Sequence, residues 1–378
     1  MKFDCLVVGA GISGSTAART LAEAGKKVLV MEQLKHIAGH CHDYLSPEGI
    51  TVHTYGPHIF HTNNRDAWNY LNRFTEFRHF QHRVLSYADG LLIPFPINMD
   101  TINMVYGTSI TAEEVAGFLE KEVNKSVYKD PPGNFRDAVV SQVGERLYNL
   151  FFKNYTIKQW ERNPEELSPE VARRIPVRAN RDNRYFSDQY QGIPSGGYTK
   201  MIEKMLDHEN ISLMTGADYF RLGDTVSALL DEKNSLTVYT GELDRFFKYK
   251  YGELEYRSLD IKFKTVDMEQ YQDAAVVNYP NDYDFTRITE FKHMTGEKSD
   301  KTVICMEYPM EKGEPYYVVL TETNMEKREK YIKETGILEK SGKFIFTGRL
   351  AEYKYYNMDQ AVAAGLEKIR KYLNGKEI

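Results

Sequence analysis

Close to its start the chain alternates between two periodicities. "CLVVGAG" is a short uninterrupted apolar run, and "ISGSTAARTLAEAG" then sets Ile12, Ala17, Ala18, Leu21 and Ala22 near helical spacing, with Gly25 as a stop. "KKVLVME" returns to a short apolar run. The pattern predicts a strand, a glycine turn, a helix and a second strand, the opening of a βαβ unit. After it, "HIAGHCHD" and "HTYGPHIFHTNN" are too rich in Gly, His and Asn for regular elements and read as loops over a ligand.

Residues 98–185 lack alternating strands and carry helical runs such as "TAEEVAGFLEKEV" and "FRDAVVSQVGERLYNLFFKNYTIKQW", so a helical insertion is expected there. Pro164, Pro169 and Pro176 then break helicity, and the charge of the surrounding stretch predicts an exposed, mobile loop over about 163–180. From 236 to 325 strand-like segments follow one another ("SLTVYTGEL", "LEYRSLDIKF", "AAVVNYP", "TVICMEYP", "PYYVVLT"), predicting an antiparallel sheet. The end gives a strand, a glycine turn "FTGRL", a tyrosine-rich link and an amphipathic helix.

At 378 residues the chain is long enough for two or three domains sharing one ligand. No run approaches the roughly 18 to 20 apolar residues needed to span a bilayer, and no secretion signal precedes the first strand, so a cytoplasmic protein is expected. The three cysteines, Cys5, Cys41 and Cys305, are too scattered for a disulfide framework or a zinc set. A net charge of -5 argues against nucleic-acid binding. Tyrosine is abundant, 27 residues against 2 Trp, which suits clefts for sugars and bases but equally cores and interfaces.

Gly9, Gly11 and Gly14 fit G-x-G-x-x-G between the first strand and helix. In that setting the first makes the tight turn, the second admits a pyrophosphate, and the third lets the helix pack on the strand. Glu32 falls at the end of the second strand, where a carboxylate accepts from ribose hydroxyls. FAD and NAD share this fingerprint. The glycine- and histidine-rich loops that follow, and the return of "FTGRL" at the far end, suit a flavin domain closed by the C-terminal segment.

The ordered set "VVGAGISGS", "YGPHIFHTNN", "PFPIN", "YTIKQW", "RIPVR", "YQGIPSGGYTKM", "TRITEFKH" and "FTGRL" with a following Tyr resembles the bacterial UDP-galactopyranose mutases across nearly the whole chain. The resemblance implies an α/β protein: a discontinuous Rossmann-like FAD-binding domain (1–79, 196–241 and 342–378), a helical insertion domain (98–185) and an antiparallel β-sheet domain (80–97 and 242–341). It also implies a homodimer, an external reductant such as NAD(P)H, and UDP-galactose as the sugar nucleotide. The implied chemistry is attack by N5 of reduced FAD on the anomeric carbon, which interconverts pyranose and furanose without net electron transfer.

Within those motifs the leaving diphosphate needs a permanently charged, bidentate partner, and Arg174 and Arg287 are the candidates; taken without the resemblance, Arg174 reads as a solvated loop charge, and Arg287 stays open between a strand-surface ion pair and a site residue. Phe152, Tyr155 and Thr156 share a helix face, which fits either a uracil stack or a core stripe. The resemblance places Tyr155 and Thr156 with the nucleotide and Trp160 beside the sugar, and leaves Phe151 to the core. Tyr185, Tyr355 and one of Tyr316 and Tyr317 resemble tyrosines that donate to the diphosphate. Strand alternation admits only one of the adjacent pair, with Tyr317 favoured. Asn278 matches a polar contact to the nucleotide.

His58 and His61 invite a metal or acid–base reading, but no metal-ligand companions stand at fixed spacing. His58 is expected to abut the flavin ring and help set the environment of its N5, a catalytic role, and His61 stays open between site and structure. Around the cofactor the matching positions are Ser13, Gln33, Gly39, Cys41, Ile59, Gly348, Arg349, Tyr356, Met358, Asp359 and Gln360. Three places depart from the pattern. Ala38-Gly39-His40 stands for "GGN", His82 for a residue that is commonly Asn, and Asn357 for an acid. His82 and Asn357 bear on which sugar and nucleotide bind, with UDP-N-acetylgalactosamine and dTDP-fucose as the alternatives. A flavin oxidoreductase of the amine-oxidase type shares the expected fold.

Overall fold

Strand Cys5–Val8 lies inside a parallel five-stranded sheet whose order is Ile211–Thr215, Val28–Glu32, Cys5–Val8, Leu236–Tyr239, Phe344–Phe346. Both of the first two strands in the chain are buried on each face, which is why their sequences are apolar without alternation. This computed structural model describes residues 2–174, 176–231 and 235–376, apart from the side chains of Arg173, Arg174 and Asp224. Helix Ile12–Glu23 follows the glycine turn and ends before Gly25, whose φ is +82°. The final helix, Met358–Leu373, packs along it, with Gly365 set against Thr16. Segments distant in sequence are thereby joined in one layer around the first glycine turn.

A seven-stranded sheet forms a second body, ordered Tyr317–Val318, Tyr256–Val266, Thr302–Met310, Arg287–Glu290, Val276–Asn278, Val84–Ala88, Leu91–Phe95. Its neighbours are antiparallel except for one pair: Val276–Asn278 runs parallel to Val84–Ala88. The sheet is therefore mixed rather than purely antiparallel. Those two strands are separated by the whole helical insertion, so no hairpin constrains their direction.

Helices Met99–Tyr106, Val115–Asn124, Phe135–Tyr148 and Asn154–Trp160 pack with the Val84–Phe95 hairpin around a common core that includes Ile93, Phe95, Val139 and Leu147. A π-helical turn, Asn149–Lys153, joins the last two helices. The segment after Trp160 is less exposed than its charge predicts. Pro164, Leu167 and Ala172 are buried, the last two in this same core, because two 3-10 turns (Pro164–Glu166 and Pro169–Arg174) direct small apolar residues inward.

The glycine- and histidine-rich stretch is not all loop. Asp43–Leu45 pairs with Thr51–His53, and Phe60–Thr62 joins Tyr190–Pro194 and Phe77–His79 in a small sheet. Each strand is three to five residues long, too short for alternation to stand out of a polar sequence. Helix Glu322–Lys340 also lies outside the sequence reading. Its 19 residues bury only Asn324, Tyr331 and Thr335, so it carries no apolar stripe.

Candidate active site

The glycine turn opens a hollow lined by Gly9, Gly11, Ser13, Gly14, Glu32, Gln33, Gly39, Gly348 and Arg349 among others. Gly9 has φ +105°, and a Cβ there would stand 2.1 Å from Thr240 Oγ1. A Cβ on Gly14 would stand 1.9 Å from the carbonyl oxygen of Gly9. Only glycine fits either place, and the bare backbone faces the hollow at the head of a helix. Glu32 is 5% exposed and held on both oxygens: Oε2 accepts from Ala10 N at 2.7 Å and Oε1 from Leu34 N at 2.8 Å. Gln33 Oε1 accepts from Arg245 at 3.1 Å. These features fit the adenosine and pyrophosphate of a dinucleotide. Ala38, where the resembled pattern has Gly, takes φ +72° and donates through its N–H to Ala10 O at 2.9 Å.

A second cavity of about 750 Å³ adjoins it, and His40 and Arg349 line both. This size lies in the range of small-molecule sites. Its walls carry His58, Ile59, His82, Phe152, Tyr155, Thr156, Trp160, Tyr185, Asn278, Arg287, Tyr317, Tyr355, Tyr356, Met358 and Gln360, all named from the sequence. Cys41 and Asp359 line neither space. Cys41 is buried with Sγ 3.6 Å from Met358 Sδ, and Asp359 accepts from Thr62 Oγ1 at 2.8 Å. Arg174 ends the Pro169–Arg174 turn, whose Glu170 and Val171 line the cavity, but its side chain lies outside the described residues.

Two further expectations change. Tyr316 and Tyr317 both reach the cavity, because the strand begins only at Tyr317 and alternation does not extend to its neighbour. Tyr316 stacks on His40 (4.8 Å, 8°), whereas the Tyr317 ring lies 5.9 Å from that of Tyr355 and 6.3 Å from that of Trp160. Phe151 belongs to the helical core and lines the cavity as well.

Glu307 was missed. It lies directly opposite Arg287 on the adjacent strand, is fully buried, and its Oε2 accepts from Arg287 Nε at 2.8 Å. Its signal in the sequence is an acid inside the apolar run "TVICMEYP", a place where burial demands a cationic partner. Burial works against the Arg287 charge, but Glu307 holds the guanidinium well above its ordinary value. Arg287 NH2 also donates to Tyr317 Oη at 3.4 Å. Burial raises the Tyr155 phenol.

Burial also keeps two cavity histidines neutral, lowering His58 and His82 each to about 3. His58 Nδ1 donates to Gly56 O at 2.9 Å, which leaves Nε2 as its acceptor. His82 Nδ1 is buried without a partner among the described residues. Asn357 caps the final helix, its N–H donating to Gln360 Oε1 at 2.9 Å; an amide suits this cap about as well as a carboxylate.

Taken together, a glycine-lined dinucleotide hollow opening into a cleft with arginine and stacked aromatics defines an α/β enzyme of the Rossmann-type cofactor class. A model described as UDP-galactopyranose mutase matches residues 150–355, and one for an NAD(P)-binding Rossmann-like domain matches residues 7–74. The chain is 37% identical to a Klebsiella pneumoniae protein named "Probable UDP-galactopyranose mutase" (98% of this chain, 95% of the relative) and 36% to the dTDP-fucopyranose mutase of Escherichia coli (98% and 99%). A UDP-galactopyranose mutase of Mycoplasma pneumoniae is 32% identical (98% and 96%). The chain belongs to the UDP-galactopyranose mutase family of isomerases. The crystal structure of a reduced UDP-galactopyranose mutase shares the fold, with a TM-score of 0.73 at 16% identity over 100% of this chain and 96% of that one. A putrescine oxidase shares it less closely, at a TM-score of 0.55 and 12% identity over 99% of each chain. Among the described residues no helix is long and apolar enough to cross a membrane.

Proposed function

We propose that this enzyme interconverts UDP-galactopyranose and UDP-galactofuranose using FAD kept reduced by an external donor such as NAD(P)H. On this reading it is a cytoplasmic homodimer that supplies furanose for cell-surface polysaccharide. The observation that carries the reading is the direct opening of the dinucleotide hollow into the aromatic and arginine-lined cleft, bounded by His40 and Arg349 on both sides. The relatives matched over their full length at 31–37% identity are all named as nucleotide-sugar mutases. An oxidoreductase function has in its favour the shared fold and sequence matches that cover no more than 31% of this chain.

Gly9, Gly11, Ser13, Gly14, Glu32 and Gly348 would hold the adenosine and diphosphate of FAD, with His58, Ile59, Arg349 and Tyr356 toward the ring. When bound and reduced, the flavin supplies a nucleophile, N5, for the anomeric carbon. The protein's part is to bind and to stabilise departure of the nucleotide. Arg287, pre-oriented by Glu307, offers its two terminal nitrogens to a diphosphate, with Arg174, Tyr185, Tyr317 and Tyr355 as further donors. Phe152, Tyr155 and Thr156 bind the base, with Asn278 beside them, and Trp160 covers the sugar. Neutral His58 adds no positive charge beside the reacting carbon.

A second substrate is favoured by one observation, the 36% identity to a dTDP-fucopyranose mutase. Parallel turnover assays with UDP-galactopyranose, dTDP-fucopyranose and UDP-N-acetylgalactosamine decide between them. A higher kcat/KM for UDP-galactopyranose supports the assignment, and a higher value for either of the others reassigns the substrate.

A further inference from the structure

His61 is the cavity histidine left without a role. It lies on strand Phe60–Thr62 with its ring flat on Phe186 (3.5 Å, 11°) and Nδ1 2.8 Å from Asp188 Oδ2. The other carboxylate oxygen of Asp188 accepts from Asn63 Nδ2 at 2.9 Å, and Asn63 Oδ1 accepts from Gln189 N at 2.8 Å. Asp188 is thus fixed on both oxygens. A carboxylate only accepts, so the proton of this bond sits on Nδ1, and Nε2 is the nitrogen that exchanges a proton with the cavity. Among the described residues Nε2 has no protein partner, while the ring lines the cavity.

No other histidine of the cavity is so equipped. Among the described residues His58 and His82 have no carboxylate partner, and desolvation keeps them neutral. His40 directs its Nε2 to Glu314 at 3.2 Å and stands at the junction with the dinucleotide hollow.

We propose that His61, oriented by Asp188, is the group that moves a proton between two sugar oxygens during the isomerisation, an assignment that rests on the mutase reading above. In the pyranose, C1 is bonded to O5 and O4 carries a proton; in the furanose, C1 is bonded to O4 and O5 carries the proton. Nε2 of His61 relays the proton, giving one to O5 as the C1–O5 bond breaks and taking the O4 proton as the C1–O4 bond forms, while Asp188 holds the Nδ1 side of the ring. His61 ends as it began, one proton has moved from O4 to O5, and no electron is gained or lost. The reverse reaction runs the same steps backwards. Asp188 is a positioning residue.

The test uses the full chain loaded with FAD and reduced anaerobically, with UDP-galactofuranose turnover followed by chromatography and UDP affinity by calorimetry. His61→Ala is expected to lower kcat by about a hundredfold or more, the usual contribution of a positioned acid–base group. It leaves UDP affinity unchanged and regains rate when imidazole is added. Asp188→Asn keeps the shape but offers an N–H to Nδ1 and removes the balancing charge, so kcat falls while KM holds. An active wild type with an equally active His61→Ala variant, or with a lost rate that imidazole does not restore, overturns the proposal alone. A wild type inactive on the UDP-galactose, dTDP-fucose and UDP-N-acetylgalactosamine nucleotides alike overturns the mutase reading and the proposal with it.

Discussion

Arg287 and Glu307 face each other across adjacent antiparallel strands, and their 2.8 Å ion pair occupies Nε of a guanidinium that lines the cleft beside Tyr317. Replacing Arg287 by Lys keeps the charge but loses both the fork and the buried bond. UDP affinity, measured by calorimetry, is expected to fall about tenfold or more, since charge-assisted hydrogen bonds contribute roughly 1.5 to 3 kcal/mol each. Glu307→Ala leaves a cation without its partner in a buried setting and is expected to cost about 3–5 kcal/mol in denaturant unfolding. Glu307→Gln retains an acceptor for Nε and costs less.

Acid is expected to destabilise this fold. His53 and His82 are buried and His58 half-buried, and desolvation lowers them to about 4, 3 and 3 respectively, against roughly 6.5 in an unfolded chain. The unfolded state therefore binds more protons below that value, and stability falls as pH drops from about 6.5 towards the folded values. At pH 5.5 each such histidine costs about 1.4 kcal/mol. His293, raised by its bond to Glu290, works in the opposite direction and offsets part of the loss. Thermal melts between pH 7.5 and 5 check this, and His53→Phe is expected to reduce the slope.

Two positions of the glycine turn, Gly9 and Gly14, tolerate no side chain. Gly14→Ala drives a methyl into the Gly9 carbonyl, and Gly9→Ala adds a strained φ to a clash with Thr240. Both variants are expected to purify without bound flavin, as read by visible absorbance. Gly25→Ala, outside the hollow and with open space around its Cβ, is expected to retain it.

Trp160 reports occupancy of the cleft. The chain has 2 tryptophans, so Trp68→Phe leaves Trp160 as the emitter. Its buried indole lies in the wall with Tyr317 and Tyr355, and UDP is expected to change its emission. The same titration in an Arg287→Ala background is expected to need a much higher UDP concentration.

Much of the cofactor half of the site was legible in the sequence, because Gly9, Gly11, Gly14 and Glu32 sit at fixed offsets within a strand–turn–helix pattern that local rules describe. The cleft was legible through ordered motifs, not periodicity: Tyr155 and Trp160 look like any aromatic core stripe until the sheet brings Arg287 and Tyr317 opposite them. Glu307 and Asp188 act on residues of distant segments, and their partners are set by strand register, which a single sequence does not display. The three-residue strands around His53 and His61 and the polar helix Glu322–Lys340 escaped because neither carries an apolar repeat long enough to detect. Tyr316 was assigned by an alternation rule that applies only inside a strand, and it stands just before one.

The central claim is that this enzyme performs a redox-neutral isomerisation on a cofactor that works only when reduced. Anaerobic chromatography of UDP-galactofuranose incubated with the purified, FAD-loaded protein, with and without dithionite, tests it most directly. Conversion to UDP-galactopyranose with dithionite and none without it is the predicted result. Absence of conversion of this nucleotide, and of its N-acetylgalactosamine and fucose counterparts, by protein whose flavin is shown to be bound and reduced would contradict it.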